Sequence, residues 1–128
     1  MPLALIVEDN ELNRKLLRDI LEIHFDVDVV HSAEEAQTYL QSKHPDIVML
    51  DLQLPGMNGL ELTRILKQSP ETKDLPIVAI SAHAMQENID AAKIAGCVEY
   101  VTKPILEDPD AFADRMLKLV TDDQAYSN

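Results

Sequence analysis

The stretch that decides the fold is IVMLDLQLPGMNG, residues 47–59. Its first four residues, Ile47 to Leu50, are all apolar, and a turn-forming segment that contains Pro55 follows them. A short continuous apolar run that ends at a turn is typical of a parallel strand buried on both faces. Asp51 comes directly after the run, so we expect it at the carboxyl end of this strand, where open α/β sheets bind their ligands.

The N-terminal part of the chain repeats this pattern. The apolar run 3–7 ends in the acidic pair Glu8-Asp9. If the two strands are neighbours, three carboxylates converge with Asp51, and like charges so close together favour a bound cation. Taken alone, Glu8 and Asp9 could cap a helix and Asp51 could be a turn residue. Their joint placement favours a site.

Five apolar runs alternate with segments of helical spacing. The runs lie at 3–7, 27–30, 47–50, 77–80 and 98–101. The helical segments have these predicted inward residues: Leu12, Leu16, Leu17 and Ile20; Ala36, Tyr39 and Leu40; Leu62, Ile65 and Leu66; Met85, Ile89, Ala92 and Ala95; Phe112, Met116, Leu119 and Val120. Five βα units in one chain predict a parallel sheet with helices on both faces, an α/β fold.

Residue types at the helix ends support this pattern. Asn10, Ser32 (with Glu35 three positions later) and Asp108 are predicted N-caps, the third helix is predicted to start near Asn58 and Glu61, and Gly96 is predicted to end the fourth helix. The fourth helix is rich in alanine, which buries little apolar area. We therefore expect it to be the most weakly held helix.

Composition limits the class of protein. The chain has 128 residues, of which 46% are hydrophobic, and we expect one globular domain over residues 1–121 with a short C-terminal tail, 122–128. The net charge of −12 argues against binding nucleic acid or an anionic membrane surface. One cysteine, Cys97, and the lack of a signal peptide or transmembrane run predict a soluble, cytoplasmic protein.

Four separated motifs then carry a family resemblance. They are Glu8-Asp9, Asp51 with Pro55 and Gly59 after it, Ser81-Ala82, and Lys103-Pro104. In this order, each at the end of a predicted strand, they resemble the receiver domain of two-component response regulators from Leu3 to about Thr121. The chain is most similar to receivers of hybrid sensor kinases and free-standing cell-cycle regulators. The resemblance implies a doubly wound, flavodoxin-like five-stranded sheet of order 2-1-3-4-5.

The resemblance also implies the chemistry. Asp51 would accept a phosphoryl group from a histidine kinase or a histidine phosphotransfer protein, with Mg²⁺ as the cofactor. Asp9, Asp51 and the backbone carbonyl of Gln53 would bind the metal directly, and Glu8 would bind it through a water molecule. Apart from its own phosphorylation and dephosphorylation, the domain would not be an enzyme.

Residues on the last two strands would sense the phosphoryl group. Lys103 and Ser81 would contact its oxygens, and the Lys103-Pro104 peptide would be cis. Ser81 and Tyr100 would then form a switch that changes the surface of the fourth helix, fifth strand and fifth helix. His83 lies two residues after Ser81, where the family modulates phosphate lifetime.

The expected partners are proteins. Because the segment after the last helix is too short for an output domain, we expect a downstream protein target, unless the chain was excised from a hybrid kinase. We expect a monomer or a weak homodimer.

Two of the three alternative functions need different residues. A phosphatase of the haloacid-dehalogenase type would need an acid at the position of Gln53. A nucleotide-binding module would need a phosphate-binding loop where Glu8 to Glu11 would repel phosphate. A receiver that serves only as a scaffold is the closest alternative, although each matched chemical position is filled.

Overall fold

The computed structural model describes residues 1–126, with side chains through residue 121, and over these residues strands alternate with helices. The strands are β1 (Leu3–Val7), β2 (Asp26–Val30), β3 (Ile47–Asp51), β4 (Ile77–Ser81) and β5 (Glu99–Thr102). The helices are α1 (Glu11–Leu21), α2 (Ala33–Leu40), α3 (Gly59–Gln68), α4 (Gln86–Ala95) and α5 (Pro109–Tyr126). The alternation predicted from the apolar runs is confirmed.

The strands form one parallel sheet in the order β2-β1-β3-β4-β5. This confirms the doubly wound α/β fold and the 2-1-3-4-5 order. Asp51 is in register with Ile80, and Ser81 is in register with Thr102. The ends of β3, β4 and β5 therefore meet at one edge of the sheet, as required for a shared site.

Helices cover both faces of the sheet because side chains alternate between its faces along each strand. On one face, Leu5, Val7, Val48, Leu50, Ile77 and Ala79 pack with Ala33 and Ala36 of α2, Leu62 and Leu66 of α3, and Ala92 of α4. On the other face, Ala4, Ile6, Ile47, Met49, Val78 and Ile80 pack with Leu17 and Leu21 of α1 and with Phe112, Met116 and Val120 of α5. The strands β1, β3 and β4 are thus almost entirely buried.

The predicted N-caps of α1 and α2 are confirmed, and Asn58 caps α3 in the same way. The side chains of Asn10, Ser32 and Asn58 each accept a hydrogen bond from the backbone N–H three residues later. Only half of the predicted capping box exists at α2, because the Glu35 carboxylate accepts from the His31 N–H instead. At α5, Asp108 accepts from the Ala111 N–H. Gly96 ends α4 in the left-handed conformation, at φ 119°.

Four predicted inward residues are wrong. Leu12 and Leu16 of α1 are 64% and 53% exposed, and Ile65 of α3 is 39% exposed. Met85 precedes α4 and is 63% exposed. In α1 the apolar residues cover more of the helix surface than the sheet can bury, and Leu17 and Leu21 face the core.

The C-terminal helix is longer than predicted. We placed the start of a tail at residue 122, but α5 continues to Tyr126. Residues 122–126, Asp-Asp-Gln-Ala-Tyr, contain no proline or glycine that would end a helix. Ser127 and Asn128, the rest of the predicted tail, lie outside the described residues. In the described part of the chain, no helix combines the length and apolar character needed to cross a bilayer.

Candidate functional site

Acidic and basic side chains meet at the carboxyl edge of the sheet. Glu8 and Asp9 directly follow β1, Asp51 ends β3, and Lys103 directly follows β5. Oxygens of Glu8, Asp9 and Asp51 lie within 4.8 Å of one another. The structure therefore brings together the three carboxylates that the sequence places at two separate strand ends.

This donor set fits a divalent cation. All three groups offer carboxylate oxygens, which are the ligands that Mg²⁺ prefers in proteins. Glu8 is 1% exposed and Asp51 is 4% exposed, whereas Asp9 is open to solvent. Two buried carboxyl groups beside an exposed third make a site that attracts positive charge.

Lys103 supplies part of that charge. Its Nζ atom lies 3.1 Å from Glu8 Oε1 and 3.0 Å from Asp51 Oδ2. Burial lowers the pKa of Lys103, but the hydrogen bonds to Asp51 and Glu8 outweigh this effect and raise it overall, so the amine stays charged. Burial and the neighbouring Asp51 carboxylate raise the pKa of Glu8 to about 7, against the lowering effects of the Asn10 N–H and Lys103. The raised pKa of Glu8 reflects its burial and the crowding of carboxylates at this edge.

Local backbone contacts fix the carboxylates. Glu8 Oε2 accepts from the Asn10 N–H at 3.1 Å, and Asp51 Oδ1 accepts from the Gln53 N–H at 2.8 Å. The Arg14 guanidinium reaches back from α1 and donates to the carbonyl oxygens of Glu8 and Asp9 at 3.3 and 2.8 Å. The acidic residues are therefore oriented by neighbours close in sequence.

The glycine at the start of α3 allows this helix to lie close to Asp51. A Cβ atom on Gly59 would stand 2.8 Å from the Asp51 carbonyl oxygen and 2.9 Å from Leu52 Cα. Such contacts are shorter than real Cβ contacts, so any side chain at Gly59 would push α3 away from the end of β3. This explains why the motif after Asp51 contains a glycine at this position.

A chain of hydrogen bonds runs from Gln53 to Tyr100. The Ser81 hydroxyl donates to Gln53 Oε1 at 3.0 Å and accepts from the His83 N–H at 3.0 Å. The His83 carbonyl in turn accepts from the Tyr100 hydroxyl at 2.5 Å. We call Gln53, Ser81, His83 and Tyr100 the Gln53–Tyr100 relay. Ser81 is completely buried, Tyr100 is half-buried, and the side chains of Gln53 and His83 face solvent.

The segment after Lys103 forms the rim of the site. The Lys103-Pro104 peptide is cis. Beside it is a cavity of about 130 Å³ whose apolar lining includes Leu16 and Ile20 of α1 together with Pro104 and Ile105. Lys103 and Glu8 also line this cavity, so it opens next to the charged cluster.

Sequence reasoning did not identify three of these contacts. The side chain of Gln53 contacts Ser81, Arg14 holds the carbonyls of the acidic pair, and Glu34 of α2 accepts from the Met57 N–H in the loop after β3 at 3.3 Å. A single amide or guanidinium side chain carries no sequence pattern that indicates its partner, and Gln53 and Ser81 are 28 residues apart.

Comparisons with known proteins agree with the geometry. The response regulator receiver domain profile matches residues 4–116. The chain is 40% identical over 103 residues to the polar-differentiation response regulator DivK of Brucella ovis, covering 80% of this chain and 84% of DivK.

Solved structures give the same result. A response regulator from Chloroflexus aurantiacus is similar with a TM-score of 0.87 and 29% identity, covering 94% of this chain and 98% of that one. The receiver domain of the sensor histidine kinase PA1611 from Pseudomonas aeruginosa has a TM-score of 0.81 and 26% identity, covering 93% and 96%. That domain has a magnesium ion coordinated in its active-site cleft.

Proposed function

This chain belongs to the response regulator receiver domain family, and we propose that it accepts a phosphoryl group on Asp51 from a histidine kinase or a histidine phosphotransfer protein. The observation that carries the proposal is the surroundings of Asp51. Its carboxylate ends β3, is almost completely buried, and contacts both the acidic cluster and the Lys103 ammonium. Buried carboxylates beside a cation-binding site and a mobile positive charge are what transfer to an aspartate requires.

The transfer itself makes and breaks one bond. An oxygen of the Asp51 carboxylate attacks the phosphorus of the donor's phosphohistidine, and a new O–P bond forms as the P–N bond breaks. The imidazole nitrogen keeps the electron pair of the broken bond, and Asp51 becomes an acyl phosphate. Lys103, now paired with Asp51 Oδ2, is within reach of a phosphoryl oxygen, and Ser81 can donate its hydroxyl proton to another.

We propose Mg²⁺ as the cofactor. Asp9, Asp51 and the backbone carbonyl of Gln53 would bind it directly, and Glu8 would do so through water. When bound, Mg²⁺ supplies positive charge that stabilises the phosphoryl oxygens during transfer. The magnesium ion in the related PA1611 receiver domain supports this assignment. The chain would act on no separate substrate, because Asp51 of the domain itself would be phosphorylated, and hydrolysis of the acyl phosphate would later release phosphate and restore the carboxylate.

The phosphoryl donor would dock on α1 and the segment after Lys103. Leu12 and Leu16 are exposed on α1, and Leu106 is 88% exposed beyond the cis peptide. The apolar cavity between these segments adjoins Lys103 and therefore the phosphorylation site. A donor must bring its phosphohistidine to Asp51, so the exposed apolar side chains nearest to that edge are the surface it would contact.

The output would be a change in the surface of α4, β5 and α5 that a downstream protein recognises. Ser81 contacts the site and Tyr100 lies on β5, and the relay joins them through the backbone of His83. The exposed residues Met85, Ile94 and Val98 lie on or beside α4, where such a protein could bind. We expect a monomer or weak homodimer. The buried free thiol of Cys97 is compatible with a cytoplasmic location.

Intact mass measurement tests the proposal. The wild type is incubated with acetyl phosphate, with Mg²⁺ or with excess chelator, beside Asp51→Ala and a matched control. Asp19→Ala is that control, since Asp19 is an exposed aspartate on α1 away from the site. We expect one added phosphate in the wild type and in Asp19→Ala, only with Mg²⁺, and none in Asp51→Ala.

Two results would contradict the proposal. One is an added phosphate that persists in Asp51→Ala, and the other is full phosphorylation in chelator. A wild type that never gains phosphate would favour the scaffold function instead.

A further inference from the structure

We propose that the side chain of Gln53 holds Ser81 in its unphosphorylated position and so sets the free-energy cost of switching. The inference rests on the proposed function, because it concerns how the same site responds to a phosphoryl group. It assigns a regulatory role to the side-chain amide of Gln53, a residue for which only the backbone carbonyl was expected to have a function.

The argument starts from the single proton of Ser81. A serine hydroxyl donates one hydrogen bond, and here the proton goes to Gln53 Oε1 at 3.0 Å. The same proton cannot be donated to a phosphoryl oxygen at the same time. Gln53 and a phosphoryl group on Asp51 therefore compete for Ser81.

The competition is asymmetric because the two side chains differ in burial. Ser81 is completely buried, so a hydroxyl that loses its acceptor without gaining another is costly. The Gln53 side chain faces solvent, so water can replace Ser81 as the partner of its amide. Removing the acceptor at position 53 should thus destabilise the unphosphorylated arrangement and leave the phosphorylated one unchanged.

The competition for the Ser81 proton also affects Tyr100, because hydrogen bonds of the Gln53–Tyr100 relay connect the two residues. Ser81 Oγ also accepts from the His83 N–H, and the carbonyl of the same residue accepts from the Tyr100 hydroxyl. If Ser81 turns toward a phosphoryl group, the His83 N–H loses its acceptor, or the backbone of His83 moves together with Ser81. Either change alters the hydrogen bond that now holds Tyr100, so Gln53 controls both switch residues.

The test replaces Gln53 with methionine, a side chain of similar length that lacks the amide oxygen. The backbone carbonyl of residue 53 stays in place. Gln68→Met is the matched control, since Gln68 is an exposed glutamine at the end of α3. The probe is beryllofluoride with Mg²⁺, which mimics the aspartyl phosphate.

We expect Gln53→Met to bind the probe about fivefold more tightly than the wild type, which corresponds to ~1 kcal/mol for one hydrogen bond. Gln68→Met should bind as the wild type does. In a Ser81→Ala background, Gln53→Met should have no further effect, because the competing proton is already gone.

A second measurement examines the variant without metal or probe and uses the probe-bound wild type only as its reference. In amide NMR spectra of the free proteins, the His83 and Tyr100 signals of Gln53→Met should shift part of the way toward their positions in the probe-bound wild type. Such a shift reports a change in the populations of two states.

The outcomes separate the two proposals. An unchanged affinity together with unchanged His83 signals would overturn the role of Gln53. Tighter binding that persists in the Ser81→Ala background would also overturn it, since the effect would then not pass through Ser81. If the wild type binds no probe at Asp51, the proposed function fails and this inference fails with it.

Discussion

Asp51 ends β3, and the flank of the sheet formed by β1 and β3 is packed very differently from the flank formed by α4 and β5. On the first flank, large side chains such as Ile6 and Met49 are completely buried. On the second, α4 buries Ala92 and Ala95, while Ile94 is 86% exposed. The start of α4 also has no side-chain cap, in contrast to α1, α2 and α3.

Because the flanks differ in packing, the proposed phosphoryl transfer and the proposed conformational response belong to different parts of the sheet. Burial contributes roughly 25 cal/mol per Å² of apolar surface, so a helix held by alanines gains little from the sheet. Elements with few buried apolar contacts are the ones that move at low free-energy cost. The carboxylates stand on the flank that resists displacement, and the relay leads into the flank that yields.

The largest expected effect tests the packing of the two flanks with one chemical change. Ile6→Ala on β1 should lower the free energy of unfolding by ~2–5 kcal/mol, because it opens a cavity in a completely buried layer. Ile94→Ala on α4 should change it by less than ~0.5 kcal/mol, because that side chain is already in solvent. Urea unfolding of both variants gives the two values. Similar losses in both would mean that α4 is held as firmly as β1.

Most of the fold was predictable from the sequence. The apolar runs predicted the strands within one or two residues, because strands buried on both faces leave a continuous apolar signal. The buried face of each helix was harder to predict. Leu12 and Leu16 carry the same periodic signal as Leu17, and only the position of the neighbouring sheet decides which of them is buried.

The site was predictable to the same extent. That Asp51, Ser81 and Lys103 lie at one edge could be predicted because the fold itself gathers the ends of parallel strands, whereas their roles stay predictions. The contact between Gln53 and Ser81 could not be found this way. It depends on the path of the loop after β3 and on a side-chain rotamer, and neither leaves a periodic pattern.

The next effect concerns charge on the firmly packed flank. Asp51→Asn should raise the free energy of unfolding by about 1 kcal/mol in chelator. The change removes the repulsion between the Asp51 and Glu8 carboxylates, which contributes to the raised pKa of Glu8. Lys103 remains paired with Glu8 in the variant. Mg²⁺ should raise the melting temperature of the wild type more than that of the variant, since a ligand of the native state adds stability by mass action.

Asp19→Asn, the same change on the exposed surface of α1, is the control and should alter neither quantity. If Mg²⁺ shifts the melting of the wild type and of Asp51→Asn equally, Asp51 is not part of the metal site.

The prediction with the smallest effect tests whether the weak packing of α4 is needed for its response to phosphorylation. Met85 occupies the N-cap position of α4, is 63% exposed and makes no side-chain capping bond. Met85→Asp should supply a side-chain acceptor for the backbone N–H groups of the first turn and stabilise the protein by ~0.5–1 kcal/mol. Met85→Asn, which caps without adding charge, should do nearly the same. In both variants we expect slower hydrogen exchange along α4 and smaller NMR changes on that helix when beryllofluoride and Mg²⁺ bind. If both variants gain stability while α4 still responds fully, the weak packing of this flank is incidental, and the response depends on the relay alone.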